Sequence, residues 1–522
     1  MPDRIESNAR TVMVLTAFSR ITGLVRDGVL SRVLGANQLT SAFWFAFLIP
    51  NLFRRLFGEG ALTAAFLPVY AKLRDRDPDR AAQLATMVIA CLMIGLGGVV
   101  VLGEGILFLI SAMRNHDDIA IQLMMITLPY MPLVCLVAIL GAMLQVMGRF
   151  GPPAAAPILL NGAIIVAVTT MAWTTVDDER ARLLSVVGAA VAMVAAGLLQ
   201  AVWMLWSLRG RAGWNWNPDA AMKPLKQVWR ASLPMILGLG VLQLNTFFDG
   251  LIASYPAVMG TTDFLGAMYP LDDGAMTIIS YAQRLYQFPL GVFAISVATA
   301  IYPVLARQAD DDVPFADTIR RGLRLVLFIG VPASVGLALV REPLAACILQ
   351  GGEFTANDAH RVAAVLLGYA TAVWAYSMNQ VFTRSCYARM DMMTPVRIAM
   401  GVVVLNLVLN LGLIWTPLGE TALAWSTAIC AVLQCLLLLR ATGRHVSRPV
   451  DATVRTTAGR VIGLSVVMGA AVLWSSTWFE PSPGILGSIV ELAVMVTVGG
   501  GVYAAGARIL RMPELRWSLG RP

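Results

Sequence analysis

The chain has 522 residues, of which 58% are apolar and only 13% charged, with a mean hydropathy of +0.72. Soluble domains carry about 45–50% apolar and about 25% charged residues. Both departures argue against a soluble enzyme, a disordered protein or a nucleic-acid binder, and they call for a bilayer as solvent. A net charge of +8, from 39 Lys and Arg against 31 Asp and Glu, does not reverse this, because the basic residues fall in alternate loops.

A helix needs about 20 apolar residues to cross a bilayer. In chain order the sequence predicts fourteen such spans, at 12–34, 38–58, 84–111, 119–147, 153–175, 183–207, 229–254, 274–303, 320–348, 359–387, 395–416, 420–440, 459–478 and 485–508. Arg20, Arg26 and Asp27 interrupt the first, and no cleavable signal peptide is visible. The loop after span 2 carries Arg54, Arg55, Lys72, Arg74, Arg76 and Arg80. Bases recur after span 6 (Arg209, Arg211, Lys223, Lys226), after span 8 (Arg307, Arg320, Arg321, Arg324) and after span 12 (Arg444, Arg448, Arg455). The loop after span 7 has Asp263, Asp272 and Asp273 and no base, and the one after span 5 balances Asp177, Asp178 and Glu179 against Arg180 and Arg182. Lys and Arg concentrate in cytoplasmic loops. Both termini are therefore expected in the cytoplasm, and the positive balance reads as topology, with no nucleic-acid partner.

Two short matches suggest an internal repeat. Leu67-Pro68-Val69-Tyr70-Ala71-Lys72 is echoed 235 residues later by Tyr302-Pro303-Val304-Leu305-Ala306-Arg307. Arg149, in Gly148-Arg149-Phe150-Gly151-Pro152 after span 4, and Arg389, in Ala388-Arg389-Met390-Asp391 with Pro395 after span 10, lie 240 residues apart. An offset of six spans preserves orientation, as in parallel repeats about an axis along the membrane normal. The expected plan is an all-α polytopic membrane protein with a six-helix lobe at 1-225, a second at 226-445, and two additional helices at 446-522. Two such lobes flanking a site are the usual plan of an alternating-access transporter.

Charges inside a membrane are costly and mark functional sites by default. Span 1 holds Arg20, Arg26, Asp27 and Arg32, span 2 ends in Asn51-Leu52-Phe53-Arg54-Arg55, span 7 holds Asp249 and span 8 holds Arg284. On an ideal helix Arg20 and Asp27 share a face, whereas Arg26 lies about 120° from Arg20. Either Gly23 lets the helix bend or Arg26 has another neighbour. Ion pairs such as Arg26 with Asp27, or Arg54 with Glu59, would explain single arginines. The whole set outnumbers its acids, and a surplus of guanidinium asks for an anion. Guanidinium binds phosphate by forked hydrogen bonds, so a diphosphate group suits it.

These segments resemble the MurJ (MviN) family of lipid II flippases, in the multidrug/oligosaccharidyl-lipid/polysaccharide exporter superfamily. The resemblance rests on Ser19-Arg20 with Arg26-Asp27, on Pro50-Asn51-Leu52-Phe53-Arg54-Arg55 with Glu59-Gly60, on Tyr281-Ala282-Gln283-Arg284 with Phe288-Pro289, on Gly352-Glu353-Phe354-Thr355, and on Arg389-Met390-Asp391 with Thr394-Pro395. It implies a protein that carries lipid II, the undecaprenyl-diphosphate-linked peptidoglycan precursor, from the inner to the outer leaflet of a bacterial inner membrane. It also implies contacts with membrane lipids, a setting beside the cell-wall synthesis machinery, and a lipid-tail groove on the last two helices. Arg20, Arg26, Arg54 and Arg284 match the family's functional arginines, and Asp27 and Asn51 share their motifs. Asp249 with Asn406, Asn410 and Thr427 resembles a sodium site of some members, so a coupling cation, sodium or proton, is the one small cofactor implied. Where members often carry acids, this chain has Ser41 and Gln283, and Asn410 stands where an acid would hold sodium better.

Other patterns carry less. Gly351-Gly352-Glu353-Phe354 spells a cyclase motif, but it sits in a short outward loop rather than on a hairpin of a soluble domain. Asp310-Asp311-Asp312 reads as a solvated turn. The six cysteines form no CxxC pair, and His116, His360 and His445 are scattered. No P-loop lysine motif is present. A cation-coupled drug or polysaccharide-lipid exporter of the same superfamily stays open, although drug substrates are usually cations. An intramembrane glycan polymerase would need a larger outward domain than the loop near 255–273 offers.

Overall fold

Helix starts follow the capping residues of the sequence. Asn37, Asp118, Asp177, Asn217 and Asp451 each accept a backbone N–H two or three positions into the next helix. Thr355 and Asp358 form a reciprocal capping box. Such side chains satisfy donors that a helix N-terminus leaves open. The computed structural model describes residues 2–58, 61–113, 118–260, 263–264, 266–290, 295–444, 446, 448–479 and 484–518.

The chain divides into two compact units, Met1–Thr277 with Gly352–Phe354, and Ile278–Gly351 with Thr355–Pro522. The first holds α1 (Pro2–Leu34), α2 (Gln38–Phe53), a π-helical turn Arg54–Gly58, α3 (Ala61–Arg76), α4 (Pro78–Met113), α5 (Ile119–Thr127), α6 (Tyr130–Val146), α7 (Gly151–Thr174), α8 (Asp178–Leu208) and α9 (Pro218–Met259). A two-stranded hairpin pairs Asp263–Phe264 with Ala267–Met268. Helix α10 (Ala275–Pro289) crosses the division at Thr277. The second unit continues with α11 (Ile295–Arg307), α12 (Asp312–Leu349), α13 (Ala356–Ala370), α14 (Val373–Ala388), α15 (Met393–Leu413), α16 (Thr421–Thr442), α17 (Ala452–Ser476), α18 (Ile485–Ile509) and α19 (Pro513–Ser518). Helix α9 packs along α2, α3 and α4.

Nine helices among the described residues are long and apolar enough to cross a membrane, or ten if α13 and α14, bent by 42° at their junction, form one span. The other expected spans fall on α1, α2, α9, and α10 with α11. Helix α1 carries the four charges of span 1, α2 has only 16 residues, and span 8 is divided between helices of 15 and 13 residues. This arrangement is consistent with fourteen spans. Large apolar side chains on α4, α8 and α18 point outward, with Val101 73% and Leu486 76% exposed. Soluble monomers rarely expose apolar faces of that extent, and lipid covers them here. The fold is a multi-pass, all-α membrane architecture.

Each unit has its own core. Leu62, Phe66, Leu84, Leu140 and Met193 centre the first, and Phe315, Leu323, Val381, Phe382 and Leu438 the second. Helices α17 and α18 join the second unit by packing on α12 through Phe328, Val461 and Ala507, and through Val340, Met468 and Met495.

Candidate functional site: buried arginines and polar clusters

In the first unit, Arg26 is 4% exposed and the adjacent Asp27 1%. Arg26 donates from Nε (3.0 Å) and Nη2 (2.6 Å) to Asp27 Oδ1, and from Nη1 to Asn161 Oδ1 (3.1 Å). The Trp44 ring lies 5.7 Å from Arg26 Cζ. Asn161, on α7, donates through Nδ2 to Thr22 Oγ1 (3.0 Å) and the Ser19 carbonyl (3.3 Å) of α1. Arg26 therefore has the other neighbour that helix geometry required. Gly23 faces Asn161 of α7, and a Cβ there would make an ordinary contact at 3.7 Å from Asn161 Nδ2.

The pair corrects one expectation. Arg26 is not part of an uncompensated surplus in this structure, because Asp27 neutralises it. A buried charge without such a partner would cost several kcal/mol, about 3–5 by deletion of one partner. The guanidinium has five N–H groups, and these bonds engage three, so one N–H on each Nη stays available to an added anion. Arg20, on the same helix, is half-buried.

Arg54 opens the π-helical turn, a geometry frequent at functional sites. Its Nε (3.1 Å) and Nη2 (2.8 Å) both donate to Asn51 Oδ1, one turn earlier. Asn51 thus orients the guanidinium. Arg55 Nη1 donates to Gln243 Oε1 of α9 (3.1 Å) and anchors the turn from the other side. Pro50 lacks the N–H that would reach the Ala46 carbonyl, and the Thr127 hydroxyl donates to that carbonyl at 3.3 Å. Glu59, the alternative partner for Arg54, lies outside the described residues, as do His116 and His445.

The positions lacking acids make neutral hydrogen bonds. Ser41 Oγ pairs with Thr277 Oγ1 at 2.9 Å in the first unit, and Gln283 Nε2 donates to the Tyr369 hydroxyl at 3.2 Å in the second. Arg284, beside Gln283 on α10, is half-buried.

The four residues likened to a sodium site divide between the units. Asp249, 1% exposed on α9, accepts from Asn245 Nδ2 at 3.5 Å. Asn406, Asn410 and Thr427 come together in the second unit. Asn410 Nδ2 donates to Asn406 Oδ1 (2.9 Å), Asn406 Nδ2 to Thr427 Oγ1 (3.2 Å), and Ser426 Oγ to Asn410 Oδ1. The cluster is thus a chain of neutral amide and hydroxyl groups. Among the described residues no group of three or more His, Cys, Asp or Glu could hold a metal ion.

Sequence reading missed Asn161, Ser426 and Asn245. Asn161 stands alone in the apolar run 154–168, and a lone amide in a span is the signal that was there. Ser426 precedes Thr427, and Asn245 is one turn before Asp249.

The many apolar helices, with the Arg26–Asp27 pair buried among them, define an integral-membrane protein of transporter-like architecture. The family model described as "Lipid II flippase MurJ" matches residues 30–495. A probable lipid II flippase MurJ of Vibrio cholerae is 31% identical over 544 aligned residues, covering 98% of each chain. The lipid II flippase MurJ of Burkholderia cenocepacia is 28% identical, covering 90% of each. Among solved structures, a lipid II flippase MurJ in an inward closed conformation superposes with a TM-score of 0.76 at 22% identity, over 96% of this chain and 99% of that one. An inward-facing multidrug resistance MATE transporter of the MOP superfamily gives 0.66 at 13% identity, over 86% and 99%; both likenesses speak to the fold. The chain belongs to the MurJ family of lipid II flippases.

Proposed function

We propose that this protein is a lipid II flippase, a transporter and not an enzyme, which moves lipid II from the inner to the outer leaflet of the bacterial cytoplasmic membrane by alternating access. The observation that carries the substrate is the family match along residues 30–495. The chemistry that fits it is the set of intramembrane arginines, with Arg20, Arg26 and Arg54 in the first unit and Arg284 in the second.

These four side chains are the diphosphate ligands in this reading. Asp27 is the resident counter-ion of Arg26, holding it buried while the site is empty and sharing it when the diphosphate arrives. Asn51 presents Arg54. A ligand shifts a conformational equilibrium only by binding one state better than another, and a diphosphate held by forked bonds provides that difference. Both termini lie in the cytoplasm, the tail of lipid II stays among membrane lipids, and the product is consumed by the cell-wall synthesis machinery. A coupling cation, sodium or proton, acts at Asp249, and Asn406, Asn410 and Thr427 form a polar cluster within the second unit.

The test is replacement of the resident flippase in depleted cells, with lipid II reaching the outer leaflet as the readout. Growth with outward lipid II supports the reading. A well-expressed chain that leaves lipid II on the inner leaflet refutes it.

A further inference from the structure

Arg284 is carried by a helix whose rotation is fixed by an unusual contact. Tyr286 of α10 stacks on Tyr369 with ring centroids 4.6 Å apart and planes 20° apart, and on Tyr376 at 5.9 Å and 22°. Tyr369 ends α13 and Tyr376 begins α14, so the two rings straddle the 42° break at Thr371 and Ala372. One turn before Tyr286, Gln283 donates to the Tyr369 hydroxyl at 3.2 Å. The Tyr376 hydroxyl donates onward to the Thr427 carbonyl at 3.4 Å. Tyr369 is fully buried.

Helix geometry says what this contact does to Arg284. Gln283 and Tyr286 lie about 60° apart around α10, on one face. Arg284 lies about 100° from the first and about 160° from the second. With Tyr286 held between two rings and Gln283 tied to one of them, α10 cannot roll without breaking the stack. Such aromatic pairs favour centroid separations of about 4.5–7 Å in defined geometries.

We propose that Tyr286, Tyr369 and Tyr376, with Gln283, form a clamp that sets the direction in which Arg284 is presented to the substrate diphosphate. The clamp rests on the reading of Arg284 as a diphosphate ligand. Its members are positioning residues and touch no substrate. The neutral Gln283 has a part in this: it bonds the tyrosine hydroxyl without placing a carboxylate beside Arg284 that would compete with the diphosphate. The onward bond to Thr427 also ties the clamp to the helix that carries the polar cluster.

The experiment is a double-mutant cycle on the purified full-length chain, reading lipid II affinity in detergent beside a thermal-unfolding control. Arg284→Ala should weaken binding by about tenfold to a hundredfold, the range for one charge-assisted contact. Tyr286→Leu should weaken it by about tenfold when Arg284 is present and by less than about twofold in the Arg284→Ala background. Tyr286→Phe, which keeps the stack, should restore binding to within about threefold. Gln283→Leu, a smaller change should Tyr286→Leu fail to fold, should show the same dependence on Arg284 with a smaller loss. Equal losses with and without Arg284, or no loss when it is present, overturn the clamp. If Arg284→Ala itself binds lipid II normally, the diphosphate role of Arg284 falls first, and that result is read independently of the tyrosine variants.

Discussion

Replacing Asn161 separates a site that binds an anion from one that only packs helices. Asn161→Ala removes the acceptor of Arg26 Nη1 and the donor to Thr22 and Ser19. A hydrogen bond to a charged group is worth about 1.5–3 kcal/mol, so the guanidinium loses its lateral hold and lipid II binding should weaken by roughly tenfold. Asn161→Asp is nearly isosteric and keeps an oxygen 3.1 Å from Arg26, but it takes the local charge from zero to −1. At about 5 Å and an effective dielectric constant of about 20, one extra negative charge opposes each unit of anionic ligand by about 3 kcal/mol. The aspartate variant should therefore bind lipid II at least about a hundredfold more weakly, worse than alanine, and its unfolding temperature should also fall, because an oxygen replaces the Nδ2 donor to Thr22 and the Ser19 carbonyl. Affinity for lipid II of each purified variant, measured beside its unfolding temperature, decides the matter. If Asn161→Asp transports and binds normally while Asn161→Ala fails, the cluster is a structural brace and the anion-site reasoning is wrong.

Other consequences are checked in the same way. Arg54→Ala should abolish complementation of depleted cells, and Asn51→Ala, which leaves the guanidinium charged but unheld, should reduce lipid II translocation partially, by roughly tenfold. Asp249→Asn should remove the dependence of translocation on the coupling gradient; unchanged gradient dependence would exclude Asp249 as the coupling acid. At the start of α17, burial works to raise the Asp451 carboxyl, but hydrogen bonds from the Val454 N–H and the Thr453 side chain, with the Arg320 guanidinium nearby, hold it below the usual carboxylate range. Because its folded pKa is depressed, this contribution is present above the unfolded value and is lost as pH falls through the folded one. Asp451→Ala should cost about 1 kcal/mol in unfolding experiments at neutral pH, and the difference from wild type should shrink in acid.

What the sequence made legible follows from how local each signal is. Hydropathy runs are written within a few residues, and the helices fall on those runs. Arg20, Arg26, Asp27, Arg54 and Arg284 stood out because a charge in an apolar run is conspicuous. Their partners did not. Asn161 is 135 residues from Arg26, and only the packing of α7 on α1 brings them together. The same limit applies to charge balance, since counting acids along span 1 does not show that Asp27 accepts two bonds from the neighbouring Arg26. The tyrosine stack joins three helices through side chains that are individually unremarkable core aromatics. The hairpin that pairs Asp263–Phe264 with Ala267–Met268 carries no sequence signal, because two-residue strands have no periodicity.

The decisive measurement is lipid II translocation in vesicles containing only the purified chain, comparing wild type with Arg26→Ala and Arg284→Ala at matched protein content. The role proposed for these arginines requires that wild type moves lipid II across the bilayer and that each variant falls to less than about a tenth of its rate, in line with the loss of one charge-assisted contact. Wild-type rates from both variants, in protein that is folded and inserted, would contradict it.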